Sequence, residues 1–187
     1  HIKLMSKTQD AVQDAPAGSE LEQLQKIAAQ FAGTHAVASV ESLGNGNINN
    51  TFLVTLKNQI GAGKDATARR FVLQQINQQV FQQPGINNQN MVVLGEHLNS
   101  LSEALPRRWE TPRVLSTSQN QNFWRDDAGE YWRAISFIED SQVLEQLESP
   151  DHAKEVGIGL AMFHRLISSL PAERLADTLE GFHITPM

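Results

Sequence analysis

The stretch "SLGNGNINNTFLVTL", residues 42 to 56, confines the fold more than any other part of the chain. Two glycines and four asparagines stand directly in front of residues that alternate as a strand does. Glycine admits positive φ and lets another group come close, and asparagine tolerates the left-handed region while bonding its own backbone. A plain hairpin is satisfied by one Asn-Gly pair. The surplus of permissive residues therefore has two readings. One is an ordinary turn; the other is a turn that also meets a bound group.

The rest of the chain is ordered around that turn. Leu21, Leu24, Ile27, Ala28 and Phe31 repeat at helical spacing behind a Ser19/Glu22 capping box, and Gly33 ends the run. Strands are expected at 37–43, 51–56 and 69–76, the last two joined by the loop "KNQIGAGKDATA". A helix is expected from about Asn88 to Leu105, with Leu94, Leu98, Leu101 and Leu105 on one stripe. "RVLST" suggests a further strand, and "NFWRDDAGEYWRAISFI" reads as a hairpin turning at "DDAG". Ser149 and Pro150 start another helix as cap and first-turn proline, and Val156, Leu160, Phe163, Ile167 and Leu170 form its expected buried stripe. A short helix is expected in 172–187. About five antiparallel strands with one embedded helix, then helices alone, make an α+β chain.

Composition narrows the function. The formal net charge of −6 argues against a general nucleic-acid binder, whose affinity rests on phosphate neutralisation. No run approaches the eighteen apolar residues of a membrane span. The absence of cysteine excludes disulfides and thiolate metal sites and makes a cytoplasmic location the expectation.

Glycine-rich loop chemistries then separate on spacing. A dinucleotide fingerprint needs a third glycine and a following helix, but Asn49 stands there and a strand follows. In "NQIGAGKD", Asn58 replaces the first glycine of a Walker loop and Asp65 its hydroxyl residue. What fits is a glycine-rich hairpin between the first two strands of a kinase-like lobe, lying over nucleotide phosphates.

"LGNGNINNTFLV", "FVLQQINQQVFQQP", "YWRAISFIEDS", "GLAMFHRLI" and "GFHITP" follow one another in an order that resembles the aminoglycoside phosphotransferase and choline kinase superfamily. The likeness is greatest to the branch of N-acetylhexosamine kinases and runs from about Val37 to Pro186. The resemblance implies an ATP- and Mg-dependent kinase acting on a hydroxyl of a small molecule, a hexosamine-like sugar first and an amino alcohol second. It places Gly44, Asn45, Gly46 and Asn47 in the phosphate-covering turn. It puts Gln74 or Gln75 where a kinase lobe carries its third-strand lysine, with Glu96 on the following helix as a residue that could orient it. Phe137, Ile138 and Glu139 become the hinge whose backbone reaches adenine, a plain edge strand being the other reading. Asn47 and Ile184 depart from the histidine and aspartate common in that branch.

The resemblance also calls for a His-Gly-Asp-type catalytic loop and a later metal-binding aspartate, and neither motif occurs in these residues. The expectation is thus the N-terminal part of a kinase: a tag scar and disordered tail in 1–18, a nucleotide-binding N-lobe in 19–138, and in 139–187 the hinge and first helices of an incomplete helical C-terminal lobe. Such a piece is expected to be inactive, to bind no catalytic metal and to hold ATP weakly. Its exposed C-lobe helix is expected to pair two copies in a homodimer. A non-catalytic binding or regulatory module on a kinase-like lobe is the alternative.

Overall fold

Phe71 and Leu73 alternate with Arg70, Val72 and Gln74, and a strand with that pattern divides a sheet into an apolar and a more polar face. The computed structural model describes residues 18–44, 48–57, 69–102, 105, 107–141 and 146–178. It places this segment, β3 (Arg70–Gln75), in the middle of a six-stranded antiparallel sheet. β1 (Val37–Ser42) pairs with β2 (Asn50–Leu56), β2 with β3, and β3 with β6 (Tyr131–Ser136). The far edge of β6 is shared by two short strands, β4 (Val114–Leu115) at one end and β5 (Trp124–Arg125) at the other. The architecture is mixed α+β.

The helix α1 (Gly18–Phe31) covers the apolar face. Its buried Leu24, Ile27, Ala28 and Phe31 recur every three or four residues, which stacks them on one side. They pack in one cluster with Val54, Phe71, Leu73, Trp132 and Ala134. Trp132 is thus core, with Phe52 against it at 6.2 Å between ring centroids. α1 begins at Gly18, so Ser19 lies inside the first turn rather than capping it, and the expected tail is shorter by that residue.

The second helix, α2 (Pro84–Ser102), starts four residues before the expected Asn88. Proline's fixed φ suits the first turn, where its missing N–H is not needed. The Gln83 carbonyl accepts from both Ile86 and Asn87 N–H at 3.1 Å. Of the expected stripe Leu98 is buried, and Leu105 lies beyond the end of the helix.

The expected hairpin forms between β5 and β6, with Trp124 opposite Trp132. Asp126 organises it by accepting Ala128 N–H at 3.0 Å, Glu130 N–H at 2.9 Å and the Trp132 indole N–H at 2.9 Å. Gly129 completes the reversal at φ 86°, a value that favours glycine.

Ser149 caps α3 (Pro150–Ile167) by accepting His152 N–H at 3.2 Å. The expectation of a buried stripe fails along its first half: Val156 is 60% and Leu160 55% exposed, and Leu166 is the buried residue. The reason is the way α3 is held. It is tied to α2 near its C-terminus by His97 Nε2 to the Leu166 carbonyl at 3.0 Å, and in the segment after α3 Asn90 bonds both backbone groups of Ala176. An exposed Arg107–Glu155 pair adds a tie nearer its start. Beyond it a 3₁₀ turn covers Ala172–Arg174. No described helix is long and apolar enough to cross a membrane.

Replacing Asp126 by alanine removes the acceptor of three hydrogen bonds, one of them to a core indole. We expect a loss of about 1–3 kcal/mol, against a change within about 0.5 kcal/mol for Asp127→Ala, which is exposed. Urea denaturation of the two variants, monitored by tryptophan fluorescence, checks this.

Candidate functional site

Gly44 lies two residues beyond β1, with φ 66° in the left-handed region. Asn45, Gly46 and Asn47 lie outside the described residues. The turn's two arms are closed by Leu43 N–H donating to the Thr51 carbonyl at 2.8 Å. The asparagines that follow are not spare. Asn49 Oδ1 accepts the backbone N–H of Asn77 at 2.9 Å, and Asn50 Nδ2 donates to Gln75 Oε1 at 2.8 Å. "INN" is therefore clamped onto "QIN", so two motifs 25 residues apart in sequence form one corner of the sheet.

Beside that corner is an open cleft of about 350 Å³, lined among others by Ile48, Asn50, Gln75, Asn77, Gln78 and Glu130. Its polar groups are neutral amides and one carboxylate, which suits hydroxyls better than anions.

Sequence spacing leaves Gln74 and Gln75 equivalent; the sheet register separates them. Gln75 lies across from Asn50 and Trp132, on the face that α1 covers. Gln74 lies on the opposite face, between Thr51 of β2 and Arg133 of β6. The three side chains are joined in a row: Gln74 Nε2 donates to Thr51 Oγ1 at 3.3 Å, and Arg133 Nε donates to Gln74 Oε1 at 2.9 Å. Arg133 Nη1 also lies against the Met91 sulfur on α2. Glu96, expected as an orienting partner, is exposed and makes no hydrogen bond to this row.

Arg133 has no place among the residues expected from sequence. Its signal was present all the same: an arginine between Trp132 and Ala134, in a strand otherwise rich in apolar residues. Burial pushes its guanidinium below arginine's ordinary value.

The hinge residues are engaged internally. The Glu139 carboxylate pairs with the guanidinium of Arg70, and this hydrogen bond raises the arginine above its ordinary value. The Arg70 guanidinium carbon also sits 4.4 Å from the centre of the Phe137 ring. The Ile138 carbonyl accepts the Ser141 hydroxyl at 2.9 Å, and the Glu139 carbonyl accepts from Arg108 at 3.3 Å. Asp140 takes φ 55° as the chain turns away from the sheet. No group of three or more His, Asp or Glu side chains fit to hold a metal ion converges among the described residues. No protein-family model matches the sequence.

The clamp gives a local prediction. Asn49→Ala removes the acceptor of the Asn77 N–H and is expected to cost about 0.5–1.5 kcal/mol. Hydrogen exchange followed residue by residue should show the Asn77 amide losing protection. Unchanged protection there would mean that Asn49 does not hold the corner.

Proposed function

We propose that the chain is the nucleotide-binding part of an ATP-dependent kinase that phosphorylates a hydroxyl of a small molecule, a hexosamine-like sugar first and an amino alcohol second. The observation that carries this reading is the order of parts around the polar face of the sheet. A hairpin with Gly44 in its turn leads through β2 to β3, a helix follows, and the chain leaves β6 through Phe137–Glu139. That is the order a kinase-like lobe requires. The motif resemblance supplies the substrate class.

In this reading the turn from Gly44 to Asn47 closes over the phosphates and excludes water, the contribution such a loop makes to phosphoryl transfer. Gln74 takes the third-strand position without adding charge. These residues carry no His-Gly-Asp-type loop that would orient the acceptor hydroxyl, and the 187-residue chain is expected not to turn over and to hold ATP weakly. The whole gene product, screened with ATP and Mg²⁺ against hexosamines and amino alcohols, is the test. Wild type should phosphorylate a sugar. Gly44→Val, which forces a β-branched residue into the left-handed region at a cost of about 1–3 kcal/mol, should lose most turnover under conditions where thermal unfolding shows it still folded. If no acceptor is phosphorylated the kinase reading is wrong; if the variant keeps full activity the turn has no such role.

On the same reading, the exposed face of α3 around Val156 and Leu160 is covered by a second copy of the chain. Burying side chains such as Val156 and Leu160 is worth about 1.5–3 kcal/mol each. Light scattering at high micromolar concentration should find dimers that Val156→Lys with Leu160→Lys dissolves. A monomeric wild type would refute this.

A further inference from the structure

The arginines of this chain differ in what balances them. Arg70 is paired with Glu139, Arg107 with Glu155 and Arg108 with Glu110. Arg69, Arg113, Arg125, Arg133, Arg165 and Arg174 are in no ion pair among the described residues, and of these Arg133 is half-buried while the others are exposed. Arg133 lies on the polar face of β6, its Nε given to a neutral amide oxygen and its Nη1 to a thioether. Nη2 has no acceptor among the described residues. Withdrawing a cation from water without a counter-charge is unfavourable, and a guanidinium remains charged at neutral pH even when burial depresses it. The fold nevertheless spends two side chains on fixing it: Gln74 orients the guanidinium and is itself held by Thr51. Thr51 in turn closes the glycine turn, through its carbonyl to Leu43 and its hydroxyl to the Asn49 carbonyl.

We propose that Arg133, positioned by Gln74, is an anion site that receives the phosphate chain of a nucleotide. Guanidinium is suited to this because its planar fork donates two parallel hydrogen bonds to one phosphate. Arg133 stands directly across from Gln74 in the β3–β6 register. The positive charge that a kinase lobe carries on its third strand is therefore delivered here from the neighbouring strand, one side chain away. A lysine at position 74 would repel Arg133, whereas a glutamine offers it an acceptor. The anion site stands on this geometry alone; assigning its anion to a nucleotide rests on the kinase reading above.

The 187-residue chain is titrated by calorimetry at low ionic strength, where charge interactions are least screened, with tripolyphosphate and separately with ATP. Wild type should bind both. Arg133→Met, which removes the charge, and Gln74→Glu, which gives the guanidinium a carboxylate of its own, should each weaken tripolyphosphate at least about tenfold. Both variants should unfold at or above the wild-type temperature, because each removes an unbalanced buried charge; Arg133→Lys should keep part of the affinity. A purely structural Arg133 predicts the reverse, with lowered unfolding temperature and unchanged affinity. If Arg133→Met fails to fold, Gln74→Glu decides. Absent binding by wild type, or wild-type affinity in Gln74→Glu or in a folded Arg133→Met, overturns the proposal. Tripolyphosphate binding that depends on Arg133, with a whole gene product that phosphorylates nothing, would keep the anion site and remove the kinase reading. Sugar phosphorylation with an unaltered KM for ATP in Arg133→Met would do the opposite.

Discussion

Everything in this fold hangs on the alternation along β3. Because successive side chains point to opposite faces, Phe71 and Leu73 enter the cluster under α1 while Arg70, Val72 and Gln74 take the other side. A slip of one residue against β2 or β6 would bury Gln74 beneath α1 and expose Leu73, which is fully buried. The core therefore fixes the register, and the register fixes which polar residues meet. Thr51, Gln74 and Arg133 come from three strands and form a row only because Val54, Phe71, Leu73 and Ala134 hold those strands in place. The polar face is in that sense determined by the apolar one.

The same logic explains the asparagines of the opening turn. Asn49 replaces a missing ladder partner where β2 and β3 run out, and Asn50 ties its side chain to that of Gln75 opposite, so part of the apparent surplus is structural. A backbone N–H at a sheet corner needs an acceptor, and a short amide side chain from the adjacent strand supplies one. That leaves Gly44, with its left-handed φ, as the described turn residue whose type the clamp does not account for.

Much of this was legible in the sequence. Periodicity placed α1, the three long strands, the "DDAG" hairpin and the capped start of α3, because each depends on neighbours in sequence. What periodicity cannot see is pairing. It could not choose between Gln74 and Gln75, since a difference of one residue becomes a difference of face only once Gln75 is matched to Asn50. It missed Arg133 for the same reason, an arginine in a strand being informative only when its cross-strand neighbour is known. On α3 it found the apolar stripe but not its surroundings, and a stripe predicts burial only if something lies across it. Here polar ties at the helix's far end hold it instead, and Val156 and Leu160 face outward.

The distribution of charge on the polar face carries a further consequence. Arg70 and Gln74 stand two pleat repeats apart, with Val72 between them on the same side. At the Arg70 end the cation is matched by Glu139 and lies over the Phe137 ring, so the pair is electrically balanced there. An exposed pair of this kind adds little stability, but it does remove a net positive charge from the place where the chain leaves the sheet. At the Gln74 end the cation is Arg133, and no carboxylate offsets it among the described residues. An anion approaching this face is therefore drawn toward the end closed by Thr51 and the glycine turn, and away from Phe137. If a nucleotide binds here, its orientation follows from that asymmetry: phosphates beside Arg133, base toward Phe137 and Ile138. On the proposal above, the polarity that a third-strand lysine would impose comes instead from one arginine that is paired and another that is not.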